Sequence, residues 1–405
     1  MGKELDEIFD SFDKKAIFKD KFLLQAEHKP TAIPHREEQI KQIAAILAPV
    51  LRGERTSNLF LYGKTGTGKT LSIQFVRDEL LKRARKNPDF NLRIEYINCK
   101  LRKVSDTEYR ILAELIKKLG GSVPDTGLPT VAVYNKFIEI IDKEKLILIL
   151  IFDEIDQAVK KISDNFLYNL TRLNSELSKS QIGVIGISND LTFLDSLDPR
   201  IKSSLSEEEL VFPPYNALQL QEILKKRAMF AFKSGVLQDG VIEKCAAFAA
   251  REHGDARRAL DLLRIAGELA ERDNSNKIHV KYIDEANEKI ERDKILDVVK
   301  TEPKQFQLVL LAIVELSELQ KDKKEPVFTG DVYNLYQELC KKHKTEILTQ
   351  RRVSDIIQEF DMLGIINVRV ISKGRGGRMR EIKLVVSNKI AEKVKEIIHD
   401  SLNYN

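Results

Sequence analysis

Short apolar runs alternate with longer amphipathic stretches through the first half of the chain. Four of the runs are rich in isoleucine, leucine or valine, and they predict buried strands at residues 59–62, 93–98, 147–152 and 181–188. The intervening stretches have helical spacing, for example over residues 70–82 and 107–119. This alternation predicts a parallel sheet covered by helices.

The pattern changes after two consecutive prolines, Pro213 and Pro214, which can continue neither a helix nor a central strand. From Tyr215 onward the apolar spacing is close to 3.6 residues and predicts an all-helical lid. A second boundary falls near residues 297–303. Beyond it, three helical patterns precede two alternating strands around a glycine-rich turn, which predicts a small C-terminal domain.

Composition adds modest constraints to this architecture. A chain of 405 residues with 42% hydrophobic and 32% charged residues predicts a globular protein of two or three domains. Its net charge of +5 is too small to indicate nucleic acid by itself, so such an inference depends on where the charges cluster.

The cellular compartment follows from what the pattern lacks. The three cysteines are far apart and form no CxxC pair, which favours a reducing compartment over a disulfide framework or zinc site. The most apolar run, residues 146–152, is far shorter than the roughly 20 residues that span a bilayer. We therefore expect a cytoplasmic, nucleoid-associated protein with no membrane partner.

Candidate chemistry begins with the sequence GKTGTGKT at residues 63–70, which fits the pattern G-x-x-x-x-G-K-[ST]. Its glycines allow backbone N–H groups to point at phosphate oxygens, Lys69 reaches the β- and γ-phosphates, and Thr70 ligates Mg²⁺. A glycine-rich turn without a ligand is disfavoured, because a strand precedes the segment and an amphipathic helix follows. The predicted nucleotide contacts are Gly63, Lys64, Thr65, Gly66, Thr67, Gly68, Lys69, Thr70 and Leu71.

Two acids, Asp153 and Glu154, follow the most apolar predicted strand. Carboxylates at the carboxyl edge of a parallel sheet lie where ligands bind in such folds. We expect Asp153 to hold Mg²⁺ and Glu154 to deprotonate the attacking water. Without the phosphate loop, a solvated acidic turn would explain the pair equally well.

Two further side chains are candidates for sensing the γ-phosphate. Asn189 follows the next strand, and Arg257 lies near the start of a lid helix, with Arg258 as a second possibility. An amide can orient the attacking water, and a guanidinium loses its partner when the γ-phosphate leaves. The alternatives are a strand-end turn former and a solvated basic helix face.

The C-terminal pattern predicts a winged helix, with helices at 305–316, 330–341 and 349–363 and strands at 368–371 and 379–386. The third helix buries one face and leaves its first turn available for base edges in the major groove. Arginines of the glycine-rich wing suit a narrow minor groove or phosphates, although a solvated basic loop has the same composition. The predicted DNA contacts are Gln350, Arg351, Arg352, Lys373, Gly374, Arg375, Arg378 and Arg380.

The order of these elements resembles an AAA+ ATPase. In detail the chain resembles the archaeal replication initiators related to the eukaryotic origin recognition complex and its cell-division-cycle partner. The resemblance extends from about residue 15 to about residue 400. The motifs that carry it are IPHRE at 33–37, GKTGTGKT at 63–70, NCK at 98–100, FDEID at 152–156, ISN at 187–189, LDPRIKSS at 197–204 and GDARRALD at 254–261.

The resemblance implies roles for these residues. Lys69 and Thr70 would belong to Walker A and Asp153 and Glu154 to Walker B, with Asn189 as sensor 1 and Arg257 as sensor 2. The segment Pro34, His35 and Arg36 would line the adenine pocket. An initiator-specific insertion at about 101–130 would contact DNA through Arg102 and Lys103. Many AAA+ proteins place an arginine finger in a Ser-Arg pair after sensor 1. This chain has KSSL at 202–205, with serine in place of that arginine, which leaves Arg200 as the nearby substitute.

The implied organisation is an N-terminal tail (1–14), an AAA+ α/β domain (15–212), a helical lid (213–298) and a winged-helix domain (299–405). The implied function is a slow ATPase that binds double-stranded origin DNA and switches between ATP and ADP states. Its expected partners include the replicative helicase and paralogous initiators. Two other functions remain open at this stage: a nucleotide-switched winged-helix transcription regulator and a clamp-loader-like ATPase.

Overall fold

The computed structural model describes residues 17–86, 91–100, 107–124, 127–205, 208–321, 326–372, 378–386 and 388–403. The chain divides into two compact units, one up to Ile283 and one from Asp284 onward. Each unit has its own hydrophobic core. None of the helices within the described ranges has the length and apolar character needed to cross a membrane.

A five-stranded parallel sheet lies at the centre of the first unit, with the order β2-β3-β4-β1-β5. Its strands are β1 (Leu59–Tyr62), β2 (Leu92–Asn98), β3 (Ile147–Asp153), β4 (Gln181–Ser188) and β5 (Glu208–Val211). Because β3 lies between β2 and β4, Asp153 at its end is next to the ends of both strands. This sheet edge is where the sequence predicted the chemistry.

Alternate side chains of β3 enter two separate cores, as the two-residue period of a strand requires. Leu148, Leu150 and Phe152 belong to one core, and Ile147 and Ile151 to the other. All seven residues of β3 are buried, because helices cover both faces of the sheet. The sheet and the helices that cover it form the base of the first unit. These helices are α1 (Glu37–Leu47), α2 (Lys69–Ala84), α3 (Glu108–Lys118), α4 (Thr130–Ile141), α5 (Ile155–Ile162), α6 (Asn165–Arg172) and α7 (Pro199–Leu205).

The lid follows β5 and is entirely helical. It consists of α8 (Ala217–Ala231), α9 (Val241–Arg251), α10 (Ala256–Arg272) and the start of α11 (Val280–Thr301). Side chains cap two of these helices: Asn216 begins α8 with a capping box, and Asp255 accepts hydrogen bonds from the first turn of α10. The caps fix where these two helices begin.

The segment that precedes α1 packs on the lid rather than on the sheet. The ring of Phe18 stacks on Phe232 with centroids 4.8 Å apart. Lys21 Nζ lies 2.6 Å from Glu268 Oε1 of α10. The chain therefore crosses the lid before it enters the base, and the residues that follow form one wall of the cavity between them.

The second unit is a winged helix. After the end of α11 it contains α12 (Lys304–Lys321), β6 (Val327–Phe328), α13 (Thr329–Lys342), α14 (Gln350–Met362), β7 (Ile366–Ser372), β8 (Arg378–Leu384) and α15 (Asn388–Asn403). The three strands form an antiparallel sheet in the order β6-β8-β7. The buried face of α14 packs into this domain's core, and the left-handed Gly364 (φ 72°) follows the helix, as the sequence predicted.

The predicted fold class is confirmed: a parallel-sheet α/β base, an all-α lid and a C-terminal winged helix. The four predicted strands of the base are present, with ends within one residue of the predicted positions. The strands β5 and β6 and the C-terminal helix α15 are among the elements that were not predicted. In β5 the sequence EELV is largely exposed, so this edge strand lacks the apolar run that marked the others.

Candidate nucleotide site and nucleic-acid interface

The loop between β1 and α2 has the backbone of a phosphate-binding turn. Gly63, Gly66 and Gly68 all have positive φ, at 153°, 72° and 92°. A Cβ on Gly63 would lie 2.4 Å from the carbonyl oxygen of Phe212, and one on Gly66 would lie 1.7 Å from Asp255 Oδ1. Glycine is therefore required here both by the backbone angles and by the close approach of neighbouring groups.

The Lys69 side chain is 5% exposed and lies across the loop. Its Nζ donates to the carbonyl oxygens of Gly63 (2.7 Å) and Lys64 (2.9 Å) and to Asn189 Oδ1 (2.9 Å). Burial lowers its pKa from 10.5 to about 8. An ammonium held only by neutral oxygens in a buried position is ready to bind an anion, which would restore the charge that burial disfavours.

Both carboxylate oxygens of Asp153 accept hydrogen bonds in the acidic site. Its Oδ2 accepts hydrogen bonds from Thr70 Oγ1 (2.8 Å) and from the Tyr96 hydroxyl (2.7 Å). Its Oδ1 accepts the backbone N–H of Glu154 at 3.0 Å. Burial, followed by the charge of Asp153, raises the pKa of Tyr96, which keeps that hydroxyl a donor. The hydroxyl of Thr70 and the carboxylate of Asp153 are hard oxygen donors side by side, and this donor set fits Mg²⁺.

Glu154 is the residue between β3 and α5, and it has left-handed backbone angles (φ 55°). Its Oε2 lies 3.9 Å from Lys100 Nζ, and it is one of the residues that line the cavity. A carboxylate at this position can accept a proton from a water bound beside the phosphates.

Asn189 is fixed by its neighbours at the end of β4. Ser188 Oγ donates to Asp156 Oδ1 at 3.1 Å, and the backbone N–H of Asp190 donates to Ser188 Oγ at 3.0 Å. Asp156 is itself buried. The fifth and last residue of the FDEID motif therefore supports the strand end that carries Asn189.

The lid presents one of its two candidate arginines to the cavity. Arg257 lines the cavity, whereas Arg258 is paired with Glu252, with Nε 3.2 Å from Oε2. The backbone N–H of Ala256 donates to the carbonyl oxygen of Gly66 at 3.3 Å. The first turn of α10 therefore contacts the phosphate loop directly.

These groups surround one cavity of about 730 Å³ in the first unit, large enough for a nucleotide. Residues 65–71 of the phosphate loop line it, together with Asp153, Glu154 and Asn189. The opposite wall is formed by residues 25–34, which precede α1, and by α8 residues that include Arg227 and Phe230. The apolar part of this opposite wall is suited to a nucleobase, and the phosphate loop is suited to the phosphates of the nucleotide.

The predicted adenine segment is divided by the structure. Pro34 lines the cavity, whereas Arg36 lies behind the phosphate loop. His35 has a positive φ of 61°, and its Nε2 lies 2.9 Å from Glu222 Oε2 without the orientation of a hydrogen bond. The structure places one residue of the segment at the cavity, and the sequence could not show which of its side chains face inward.

Several site residues had no sequence signal of their own. Tyr96 lies within a strand, Tyr215 at the join with the lid, and Arg227 on a lid helix. For Tyr96, the available sequence signal was its position two residues before the NCK motif. For Arg227 the sequence carries no such signal, because the Leu23 carbonyl that it binds is 204 residues away along the chain.

The substitute for an arginine finger, Arg200, is exposed and paired within its own chain. Its Nη2 lies 3.1 Å from Asp198 Oδ2, and its backbone N–H also donates to that carboxylate at 2.9 Å. Asp198, which precedes α7, therefore pairs with a residue in the first turn of that helix.

Several predicted DNA contacts lie on the surface of the winged helix. Gln350, Arg351 and Arg352 are exposed on the first turn of α14. Arg352 is also engaged by its own helix, 4.0 Å from Asp355 and 3.9 Å from Glu359.

Basic side chains lie on both faces of the wing. Arg369 is opposite Glu381 and Val370 is opposite Arg380, so Arg369 and Arg380 are on opposite sides of the hairpin. Arg380 is exposed, and Arg378 begins β8. The predicted contacts Lys373, Gly374, Arg375, Arg102 and Lys103 lie outside the described residues.

Comparison with known proteins identifies the family. Family models match in three parts: the AAA domain (residues 52–190), the Cdc6 AAA+ ATPase-type lid domain (221–288) and the CDC6 C-terminal winged helix domain (297–394). The chain is 52% identical over 390 residues to the ORC1-type DNA replication protein of Thermococcus onnurineus, covering 95% of this chain and 92% of that protein. The chain belongs to the ORC1-type DNA replication protein family.

Other members of the family give the same picture. The ORC1-type DNA replication protein 1 of Sulfurisphaera tokodaii is 50% identical over 387 residues, with 96% of this chain and 95% of that protein covered. The structure of the Aeropyrum pernix ORC1 protein in complex with DNA is similar at a TM-score of 0.81 and 42% identity, covering 96% and 98% of the two chains. The chain is thus a nucleotide-binding AAA+ ATPase of the ORC1 type.

Proposed function

We propose that this chain is a DNA replication initiator that binds duplex origin DNA through its winged helix and uses ATP as a switch. The observation that carries the proposal is the contact between lid and phosphate loop: Ala256 donates to Gly66 and the next residue, Arg257, lines the cavity. A group that touches the γ-phosphate at this point makes the lid position depend on which nucleotide is bound.

Each functional group of the site has a distinct role in nucleotide binding or hydrolysis. The N–H groups of the phosphate loop and Lys69 bind the phosphates, and Arg257 binds the γ-phosphate from the lid. Asn189 orients the attacking water and Glu154 accepts its proton. Thr70 and Asp153 hold Mg²⁺, which when bound neutralises phosphate charge. Hydrolysis is slow, because its role is to end the ATP state rather than to turn over substrate.

DNA binding is proposed for two regions. The first turn of α14, with Gln350 and Arg351, faces the major groove, and the wing with Arg380 contacts phosphates or the minor groove. The insertion near residues 101–130 adds a second contact from the ATPase domain. The similarity to an ORC1 protein solved with DNA supports this assignment. Control of helicase loading and assembly with paralogous initiators belong to the same proposal.

Nucleotide-dependent footprinting on origin DNA tests the switch. We expect the wild-type protein to give different footprints with ATP and with ADP. Glu154→Gln should bind ATP, fail to hydrolyse it and retain the ATP footprint indefinitely, whereas Lys69→Ala should not respond to nucleotide. Identical footprints in both nucleotide states would rule out the switch. Protection at promoters instead of an origin would favour a transcription regulator, and several turnovers per second on primed DNA would favour a clamp-loader-like enzyme.

A further inference from the structure

Arg36 is the largest side chain that the structure buries almost completely, at 2% exposure. Its three hydrogen bonds all end on backbone carbonyl oxygens: Nε on Thr67 (2.7 Å), Nη1 on His35 (2.8 Å) and Nη2 on Pro213 (2.5 Å). Burial lowers its pKa, although a guanidinium remains charged. A buried cation is costly, so its three bonds and its position between two parts of the site call for a functional explanation.

One side of Arg36 reaches the phosphate loop. In a trans peptide the C=O and N–H groups point in opposite directions, so the Thr67 carbonyl that faces Arg36 leaves the N–H of Gly68 directed away from it. Gly68 lines the cavity. Arg36 thus fixes the orientation of a loop peptide and places a positive charge behind it, and both effects favour an anion at the loop.

The other side of Arg36 contacts residues 213–215, which form the join between the base and the lid. Its guanidinium carbon lies 3.9 Å from the centroid of the Tyr215 ring, a cation–π contact. The backbone N–H of Tyr215 donates to the carbonyl oxygen of Gly254 at 3.3 Å. Gly254 has φ +66°, and a Cβ there would lie 2.4 Å from the Tyr215 carbonyl oxygen. The turn that begins α10 is therefore packed onto the residue that stacks on Arg36.

These contacts close a ring around the phosphate loop. From Thr67 the ring passes through Arg36 and Tyr215 to Gly254, and the next residue, Asp255, sits against Gly66 of the same loop. The lid turn and the loop are consequently held at a fixed separation. The Tyr215 hydroxyl also packs against Gly68 of the loop. Arg36 is the member that hydrogen-bonds both the loop, at Thr67, and the join, at Pro213, so its loss removes the hydrogen-bonded link of the ring.

We propose that Arg36 is a positioning residue that ties the phosphate loop to the lid turn, so that recognition of the phosphates, but not of the adenine base, depends on it. The inference rests on the proposed nucleotide switch and assigns Arg36 a place outside the adenine pocket. Removing the guanidinium should loosen the loop and uncouple the lid from it. The base-binding wall, residues 25–34 and α8, is left intact.

Arg227 provides a matched control. It is also an arginine that satisfies backbone carbonyls, with Nη1 3.0 Å from the Leu23 oxygen and Nη2 3.5 Å from the His28 oxygen. Unlike Arg36, it supports the wall opposite the phosphate loop. Arg227→Ala should therefore weaken adenosine and ATP by the same factor, whereas Arg36→Ala should weaken ATP alone.

Calorimetric titration of the full chain with adenosine, ADP and ATP tests the assignment. For Arg36→Ala we expect a loss of ATP affinity of tenfold or more with adenosine affinity unchanged, and for Arg36→Lys an intermediate loss. A parallel loss of adenosine affinity, or unchanged ATP affinity, would overturn the inference. Wild-type protein that failed to bind ATP would instead defeat the proposed function.

Two additional measurements protect the test against misfolding and probe the lid. Tyr215→Leu leaves the guanidinium's hydrogen bonds in place and removes the ring, and it should reproduce part of the ATP-specific loss. Hydrogen exchange in the first turn of α10 should differ between ATP and ADP in the wild type and become equal in Arg36→Ala. A nucleotide-dependent difference that survived in a folded Arg36→Ala protein would show that the lid is coupled by another route, contrary to the proposal.

Discussion

Lys69 Nζ donates to Asn189 Oδ1 at 2.9 Å, so the two side chains proposed to meet the γ-phosphate bind each other across the cavity edge. They are 120 residues apart along the chain, and the parallel sheet brings them together because β1 and β4 are neighbours. The amide oxygen is neutral, which lets a phosphate compete for the ammonium.

This pair yields a prediction for Asn189→Asp. A carboxylate at the same position would bind Lys69 as an ion pair and compete with the phosphate, so ATP affinity should fall by roughly tenfold, equivalent to about 1.4 kcal/mol. Asn189→Ala should retain ATP binding and lose hydrolysis. Fluorescence titration with a labelled nucleotide separates the variants. Equal ATP affinities for the Asp and Ala variants would contradict the pairing.

The lowered pKa of Lys69 predicts coupling between ATP and protons. A bound phosphate favours the charged ammonium, so binding should raise this pKa and take up a proton once the pH exceeds about 8. ATP affinity should therefore decrease as the pH rises above that value. Phosphate groups, with a second pKa near about 6, contribute no such uptake there. Calorimetry in two buffers of different ionisation enthalpy measures the uptake, and binding heats independent of the buffer would refute it.

The lowered pKa of Lys69 also determines how the free energy of unfolding of the nucleotide-free protein should change with pH. Because the folded pKa of Lys69 is depressed, the unfolded chain holds a proton that the folded chain releases between about 8 and the ordinary 10.5. The contribution of this group to the free energy of unfolding should accordingly increase as the pH rises through that window. Below it the cost of the buried charge is fully present.

Tyr96 supports Asp153, and its removal should weaken Mg²⁺ binding. Tyr96→Phe deletes the donor 2.7 Å from Asp153 Oδ2, and the loss of such a supporting hydrogen bond should raise the Mg²⁺ concentration needed for hydrolysis by about tenfold. Tyr134→Phe is the control, because it removes a tyrosine hydroxyl 2.5 Å from Glu108 Oε1, and neither residue lines the cavity. A similar shift in both variants would argue for a general effect on the base.

The winged helix gives a comparison on adjacent arginines. Arg351→Ala should reduce discrimination between origin and unrelated duplex by about 1–3 kcal/mol, because it removes a candidate base contact. Arg352→Ala should have a smaller effect, since Arg352 already lies near Asp355 and Glu359. Competition binding at several salt concentrations measures both discrimination and the salt slope. A larger effect for Arg352 would place the recognition surface elsewhere.

The buried strands of the base were predictable from the sequence, whereas an exposed edge strand and the C-terminal helix were missed. Buried strands such as β3 were predictable, because a strand covered on both faces must be apolar throughout. The edge strand β5 was missed, because its exposed acids resemble a loop. The C-terminal helix α15 has regular amphipathic spacing and was available from the sequence, but the predicted architecture ended at the hairpin.

The sequence by itself determined the phosphate loop, the acids after β3 and the order of the domains, because each depends on residues that are contiguous along the chain. Only the tertiary structure decided which side chains face the cavity. Arg36 depends on Thr67 and Pro213, which are 31 and 177 residues away, and Tyr96 depends on Asp153. Contacts across such separations leave no local pattern, since the partners meet only when the sheet has formed and the lid has packed against it.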